Sequence, residues 1–153
     1  MVRVLMVCLG NICRSPLAEG ILRSKVDQKR VFIDSAGTGG WHVGHLPDVR
    51  SIEVAQAYGI DITDQRCRRF SYQDFIDFDL IYVMDRSNLS DVLDQARRSD
   101  DREKVRMILD ELYPGEMREV PDPYYGGEGG FDRVFRMLNE ACDVIANRLT
   151  HEF

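Results

Sequence analysis

The chain has 153 residues, of which 44% are hydrophobic and 30% are charged, and its net charge is −6. This length and balance predict a single globular domain over residues 1–153 and exclude a disordered chain. No apolar run approaches the roughly 20 residues that cross a bilayer, and no signal peptide is evident at the start, so we expect a cytoplasmic protein without a membrane partner. The negative net charge argues against a nucleic-acid partner.

The first elements in the chain are a strand and a helix that enclose a short loop. The apolar run Val2–Val7 predicts a buried strand, and the spacing of apolar residues after Pro16 predicts a helix. Ser15 followed by Pro16 is a helix-start signal, a capping hydroxyl before proline at the first helical position. The loop Cys8–Pro16 therefore joins a strand's carboxyl end to a helix's amino end, where open α/β sheets bind anionic ligands.

Within this loop Cys8 and Arg14 have the spacing C-x5-R, with Gly10 between them. Five intervening residues can curl so that their amide N–H groups converge on one point, and a guanidinium fork then holds two phosphate oxygens. Positive surroundings favour a thiolate, which is a nucleophile towards phosphorus. A buried structural cysteine with a surface arginine is the alternative. The strand before the loop and the helix start after it favour the functional interpretation.

The other predicted elements alternate between strand and helix, which predicts right-handed crossovers and a parallel sheet. We expect a three-layer α/β domain: a four-stranded parallel sheet, helices on both faces and a phosphate-binding loop after the first strand. The remaining elements are a strand over Val31–Ala36, a helix over Asp48–Tyr58 ended by Gly59, a short helix over Tyr72–Phe78, a strand over Leu80–Met84, a helix capped by Ser87, a charged linker over Arg97–Lys104, a strand over Val105–Leu109 and a helix over Phe131–Leu149.

Three features lie in the loops of the first half. Trp41 is either a core plug or a pocket wall, and the sequence leaves both open. His42 and His45 are expected to be solvated. The basic cluster Arg66-Cys67-Arg68-Arg69 is typical of a solvated face, but it could help to attract an anion.

A second unusual segment is Val120–Gly127, in which two prolines bracket Asp122 and two tyrosines follow. One interpretation is a loop whose tyrosines cover the core. The other is a stiff segment that presents Asp122 as a general acid to a leaving group on phosphorus, with Tyr124, Tyr125 and Trp41 as aromatic walls. The C-x5-R motif favours the second interpretation.

The motifs together resemble those of the low-molecular-weight protein tyrosine phosphatases. Val7–Pro16 is similar to the family's signature and Asp122–Tyr125 to its second motif. Ile33–Gly37, Val83–Leu89 and the total length also resemble the family. The similarity covers nearly the whole chain, and it implies hydrolysis of phosphotyrosine and small aryl phosphates.

The resemblance also implies roles for individual residues. Cys8 would be the nucleophile that forms a phosphocysteine, Arg14 would hold the phosphate, and Asp122 would be the general acid and then the base. Ser15 would hydrogen-bond to the Cys8 sulfur. The remaining implied residues are the loop residues Leu9, Gly10, Asn11, Ile12 and Cys13, the pocket residues Leu9, Trp41, Tyr124 and Tyr125, and the supporting residues Ser35 and Asp85.

The implied partners are tyrosine-phosphorylated proteins, with inorganic phosphate or a similar oxyanion in the loop, and neither metal nor cofactor is implied. Cys13 matches a cysteine that can pair with the nucleophile under oxidation. The one departure is Gln65, where many relatives have a histidine in the supporting network; glutamine can hydrogen-bond but cannot become cationic.

Two rival functions remain. An arsenate reductase on the same fold needs two further relay thiols, and the sequence has no cysteine between Ser71 and Met117. A non-catalytic phosphotyrosine-binding module would need neither Cys8 nor Asp122. Both observations favour the phosphatase.

Overall fold

A computed structural model describes residues 1–124, 126 and 130–152. Strands and helices alternate through most of this part of the chain. The strands are β1 (Val2–Cys8), β2 (Val31–Gly37), β3 (Leu80–Val83) and β4 (Val105–Met107). The helices are α1 (Arg14–Lys25), α2 (Val49–Ala57), α3 (Gln73–Asp77), α4 (Arg86–Leu93), α5 (Ser99–Glu103) and α6 (Gly130–Glu152), with a short 3₁₀ helix at Ile108–Glu111.

The strands of the described residues form one parallel sheet in the order β2-β1-β3-β4. Val4 of β1 is paired with Ile33 on one side and with Leu80 on the other. The connections from β1 therefore leave in opposite directions, and such a reversal opens a crevice at the carboxyl ends of the strands. The predicted parallel sheet of four strands is confirmed, and the loop after β1 lies at this crevice.

Helices cover both faces of the sheet, as predicted. Val4 and Met6 of β1 pack into a core that contains the buried residues of α1, α2 and α6. The alternate residues Leu5 and Val7 pack with buried side chains of α3 and α4 on the other face. Because successive side chains of a strand point to opposite faces, this division gives the three-layer α/β arrangement.

Two helix starts differ from their predictions. Helix α1 begins at Arg14, with Cys13 at the N-cap and no side-chain capping bond, because the Ser15 hydroxyl is used inside the loop instead. Helix α4 is capped by Asp85 and not by Ser87, since the Asp85 carboxylate accepts the amide N–H of Asn88 at 2.8 Å. Loop geometry outweighed the local capping preference only at α1, because aspartate, the cap of α4, is itself a favoured N-cap residue.

Two further predictions need correction in the second half of the chain. The segment expected as a charged linker contains α5, which Asp101 anchors by accepting the amide N–H groups of Arg97 and Arg98 at 3.0 Å each. The fourth strand ends at Met107, two residues earlier than expected, because the chain continues as the 3₁₀ helix. In the described part of the chain no helix is long and apolar enough to cross a membrane.

Candidate active site

The loop between β1 and α1 curls tightly over the end of β2. Asn11 has a φ of 56°, in the left-handed region that asparagine tolerates better than most residues. Gly37 lies directly beneath, and a Cβ there would come within 2.8 Å of the Leu9 carbonyl oxygen and 2.9 Å of the Asn11 nitrogen. A residue without a side chain is therefore required under the loop.

Asn11 is the hub of the hydrogen bonds that hold this curl. Its side-chain nitrogen donates to Ser15 Oγ at 2.8 Å and to Ser35 Oγ at 2.9 Å, and its side-chain oxygen accepts the amide of Arg68 at 2.9 Å. The side chain is buried, so these bonds are shielded from water. The structure thus joins the loop residue Asn11 directly to Ser35, which the family resemblance implied as a supporting residue.

The concave side of the loop is rich in unpaired donors. The amide N–H groups of Gly10, Ile12 and Cys13 find no hydrogen-bond acceptor among the described residues. Immediately after the loop comes the amino end of α1, where helical N–H groups also lack partners and carry partial positive charge. Such a concavity is suited to the oxygens of a tetrahedral anion.

Cys8 lies at the bottom of the loop and is only 2% exposed. Its sulfur is 3.1 Å from Ser15 Oγ. Ser15 Oγ accepts from Asn11, and its own proton can be donated to the Cys8 sulfur or to the Ala36 carbonyl oxygen at 3.5 Å. The hydroxyl can therefore stabilise negative charge on that sulfur.

Arg14 is also only 2% exposed and is held from two sides. One terminal nitrogen donates to Asp85 at 2.7 Å and to the carbonyl of Val120 at 2.9 Å, while the other lies 3.7 Å from an Asp122 oxygen. Burial disfavours the guanidinium charge, but Cys8, Asp85 and Asp122 hold the pKa of Arg14 above its ordinary value. The residue is therefore a fixed cation in a site with little water.

A cavity of about 410 Å³ brings most of the predicted site residues together. Trp41 is 68% exposed at this cavity, which identifies it as a wall and excludes a core plug. Asp122 lies at the same cavity and accepts the amide of Tyr124 at 3.0 Å. The lining consists of Cys8, Leu9, Gly10, Ile12, Cys13, Arg14, Trp41, His42, Asp122 and Tyr124.

His42 and Arg50 contribute to the site although the sequence did not predict them there. His42, expected to be solvated, lines the cavity, and a Cβ on Gly10 would lie 3.3 Å from its ring. Arg50 stacks on the rings of Tyr124 and Phe131 and donates to the Tyr124 carbonyl at 3.2 Å. Neither contact could be predicted from a sequence motif, because each joins segments that are distant in sequence.

Glu19 is the third contributor that the sequence analysis missed. It is buried in α1, accepts the Ser35 hydroxyl at 2.7 Å and is paired with Arg23. Burial raises the pKa of Glu19 to about 7, although the hydrogen bond from Ser35 acts in the opposite direction. The sequence signal that could have indicated this role was the position of Glu19 one helical turn after Ser15, because residues four apart share a face of a helix.

Gln65, a candidate member of the supporting network, is not hydrogen-bonded to it. Gln65 donates to the Pro16 carbonyl at 3.0 Å and makes no hydrogen bond with Asn11 or Ser35, and its side-chain oxygen is buried without a hydrogen-bond partner among the described residues. Tyr125 lies outside the described residues.

In the part of the chain that the structure describes, no group of three His, Cys, Asp or Glu side chains could hold a metal ion.

The fold and the loop define an α/β protein with a candidate oxyanion site at its first strand-to-helix connection. Residues 3–153 match the family model described as low molecular weight phosphotyrosine protein phosphatase. A relative of that name from Schizosaccharomyces pombe is 44% identical over 142 residues, 90% of each chain. The chain therefore belongs to the low molecular weight phosphotyrosine protein phosphatase family, whose members are phosphoric monoester hydrolases.

Solved structures agree with this assignment. A protein tyrosine phosphatase from Entamoeba histolytica, crystallised with Hepes in the active site, is 35% identical and has a TM-score of 0.91, with 99% of each chain covered. A Drosophila protein described as an arginine phosphatase is 33% identical with a TM-score of 0.87, covering 98% of this chain and 99% of its own. The fold is thus common to relatives named for different phosphorylated residues.

Proposed function

We propose that residues 1–153 form a single phosphatase domain that hydrolyses phosphotyrosine and small aryl phosphates through a phosphocysteine. The observation that carries this proposal is the meeting of three groups at one cavity. Cys8 and Arg14 are almost wholly buried there, and the half-exposed carboxylate of Asp122 lies 3.7 Å from Arg14. A nucleophile, a cation and an acid are thereby available to one bound phosphate.

Binding comes first in the proposed sequence. The loop amides and the Arg14 guanidinium surround the phosphate oxygens, and Asp85 and Val120 keep the guanidinium oriented. These donors are fixed before the substrate arrives, so they need no reorganisation as charge develops in the transition state. Charge stabilisation by main-chain amides and one arginine makes a metal ion unnecessary in this mechanism.

The chemical step transfers the phosphoryl group to sulfur. The Cys8 thiolate attacks phosphorus, a sulfur–phosphorus bond forms, and the bond from phosphorus to the phenolic oxygen breaks. Asp122, protonated at this stage, gives its proton to the departing oxygen, so a neutral phenol leaves.

Hydrolysis of the phosphocysteine completes the cycle. The Asp122 carboxylate removes a proton from a water molecule, whose oxygen attacks phosphorus as the sulfur–phosphorus bond breaks. The Ser15 hydroxyl donates to the departing sulfur, which lowers the cost of returning to a thiolate.

The walls of the cavity favour an aromatic leaving group. Trp41 and Tyr124 are both exposed at its mouth, where they can stack on a phenyl ring. The Drosophila relative makes a phosphoguanidinium the rival substrate. Peptides of one sequence with phosphotyrosine or phosphoarginine distinguish the two: we expect a higher kcat/KM for phosphotyrosine, and the reverse order would reassign the substrate.

We further propose that the protein acts on tyrosine-phosphorylated proteins in the cytoplasm. The four cysteines are all free thiols, which accords with the reducing conditions of that compartment. Subcellular fractionation tests the location.

Replacement of the nucleophile tests the proposed function directly. We expect Cys8→Ser to abolish hydrolysis of p-nitrophenyl phosphate and of a phosphotyrosine peptide, because serine cannot supply the thiolate. Cys142→Ser removes another buried thiol that lies in α6, remote from the cavity lining, and should retain turnover. Undiminished turnover by Cys8→Ser would overturn the mechanism.

A further inference from the structure

A second hollow adjoins the candidate active site. It has a volume of about 420 Å³ and is lined by Leu9, by residues 38–41 after β2, by Arg69 and by Asp91 of α4. Leu9 and Trp41 line both this hollow and the active-site cavity. A polypeptide with its phosphorylated residue in the first cavity would therefore pass directly over the second.

Two glycines shape the hollow. A Cβ on Gly39 would lie 1.9 Å from the Trp41 ring, and a Cβ on Gly40 would lie 3.3 Å from Cδ of Arg69. The indole therefore rests on one glycine and the arginine stem on the next. Side chains at either position would push these groups out of the hollow that they now line.

Arg69 brings a positive charge that has no ion-pair partner among the described residues to this hollow. Its side chain is exposed and makes no ion pair or side-chain hydrogen bond with any described residue. The neighbouring Arg68 differs, because its guanidinium is held by Asp34 and Asp74 at 2.9 Å each. The basic cluster noted in the sequence is thus divided between a structural arginine and one that faces an open hollow.

Asp91 of α4 lines the same hollow but forms no ion pair with Arg69. A bound polypeptide always brings main-chain N–H groups, which can donate to the Asp91 carboxylate. A full negative charge for Arg69, in contrast, has to come from a side chain. The two residues therefore select different parts of one bound segment.

We propose that this hollow is a specificity subsite for an acidic residue that flanks the phosphotyrosine of a protein substrate, with the acidic side chain paired to Arg69. This inference rests on the proposed phosphotyrosine phosphatase function. Successive Cα atoms are about 3.8 Å apart, so a residue one or two positions from the phosphotyrosine reaches across Trp41 into the hollow. Pairing with an exposed arginine adds selectivity and speeds association more than it adds affinity.

Phosphotyrosine peptides of one parent sequence test the subsite. Aspartate is placed in turn at each of the two positions before and the two after the phosphotyrosine, and the preference is the kcat/KM of each peptide divided by that of its alanine counterpart. General effects of a substitution on catalysis cancel in this ratio. At low ionic strength we expect a preference of about two- to fivefold at one position for the wild type.

Arg69→Ala should reduce this preference to about one, because the positive charge that pairs with the aspartate is lost. Arg69→Glu should invert the preference, because a negative charge then repels the aspartate. Arg66→Ala is the matched control because Arg66 is an exposed arginine of the same segment outside the hollow, and it should keep the wild-type preference. An unchanged preference in Arg69→Ala would overturn the subsite, as would an equal loss in Arg66→Ala.

The remaining alternative is that the hollow accepts a basic residue through Asp91, and phosphotyrosine peptides with lysine at the same four positions test it. If the wild type prefers lysine to aspartate at the flanking position and Asp91→Asn removes that preference, the hollow accepts basic residues and the proposal is wrong. Failure of the proposed function itself gives a different result: the wild type would then hydrolyse none of the phosphotyrosine peptides.

Discussion

At the scale of single residues, Asn11 determines the shape of the site. Its left-handed backbone turns the loop, and its amide side chain ties that turn to Ser15, Ser35 and the main chain of Arg68. The same bonds hold Ser15 Oγ at 3.1 Å from the Cys8 sulfur. The Asn11 side chain thus positions the groups that we propose act on the substrate.

Asp122 gives the first prediction at this scale. Asp122→Asn should lower kcat/KM for phenyl phosphate by about 10²–10⁴-fold, because kcat/KM reports phosphoryl transfer to Cys8, in which the phenol must leave with a proton. The loss should be much smaller for p-nitrophenyl phosphate, whose leaving group tolerates departure as an anion. The measurement is kcat/KM over a series of substituted phenyl phosphates, because kcat also contains the hydrolysis of the phosphocysteine, for which Asp122 is the proposed base.

Glu116→Gln serves as the control, since Glu116 is an exposed acid earlier in the same segment. It should leave the dependence on leaving group unchanged. Equal slowing of good and poor leaving groups by Asp122→Asn would contradict a general-acid role.

The sequence predicted residues whose signal is local. Cys8 and Arg14 stand at a fixed spacing, and Asp122 stands between two prolines, so short motifs indicated them. Trp41 remained ambiguous because exposure depends on the tertiary fold. His42, Glu19 and Arg50 were missed as contributors because their contacts join separate segments.

At the scale of secondary structure, a buried series of side-chain hydrogen bonds joins α1 and β2 beneath the loop. It runs from Ser15 through Asn11 and Ser35 to Glu19, which lies on α1 and pairs with Arg23. The Ser15 hydroxyl therefore takes part in these hydrogen bonds and does not cap α1. The local rule for a helix start failed here because a functional loop required the same hydroxyl.

Glu19 gives the prediction at this scale. Burial raises its pKa from 4.5 to about 7, so the folded state favours the protonated form. That contribution to stability is complete below pH 4.5 and is lost as pH rises through about 7. Relative to Glu19→Gln, the wild type should lose about 3 kcal/mol of unfolding free energy between about pH 4.5 and about pH 8.

Urea unfolding at a series of pH values measures this difference. Glu53→Gln, a substitution at an exposed acid on α2, should show a constant offset from the wild type over the same range. If the curves for wild type and Glu19→Gln run parallel, Glu19 does not titrate as proposed.

The order of strands and helices could be predicted along most of the chain because apolar runs and helical spacing are regular. Boundaries were less accurate where tertiary contacts decided them. Asp101, which accepts two amides, turned a charged segment into α5. The fourth strand stopped early at Met107 although Ile108 and Leu109 continue the apolar run.

At the scale of the whole molecule, the net charge of −6 disfavours the approach of an anion, so the proposed phosphate site has to attract its ligand through local positive charge. Helix α1, the loop amides and Arg14 concentrate positive potential at the carboxyl end of β1. The sheet reversal at β1 provides the crevice. Binding of phosphate there should therefore be coupled to the stability of the entire fold.

Thermal unfolding with inorganic phosphate tests this coupling. Phosphate at 100 times its Kd should add about 2.7 kcal/mol and raise Tm by about 5–10 °C. Sodium chloride at equal ionic strength controls for screening. Arg14→Lys, which keeps the charge but loses the planar fork, should show a smaller rise at the same phosphate concentration. An equal rise with chloride would show that phosphate has no specific site.

The phosphocysteine intermediate is the most direct test of the proposed chemistry. Wild-type protein is mixed with a phosphotyrosine peptide, quenched rapidly under denaturing conditions and digested, and the peptides are analysed by mass spectrometry. We predict one phosphoryl group on the peptide that carries Cys8, at its sulfur, and none in Cys8→Ser. Steady turnover with no phosphoryl group on Cys8, or with the group on another residue, would contradict the mechanism.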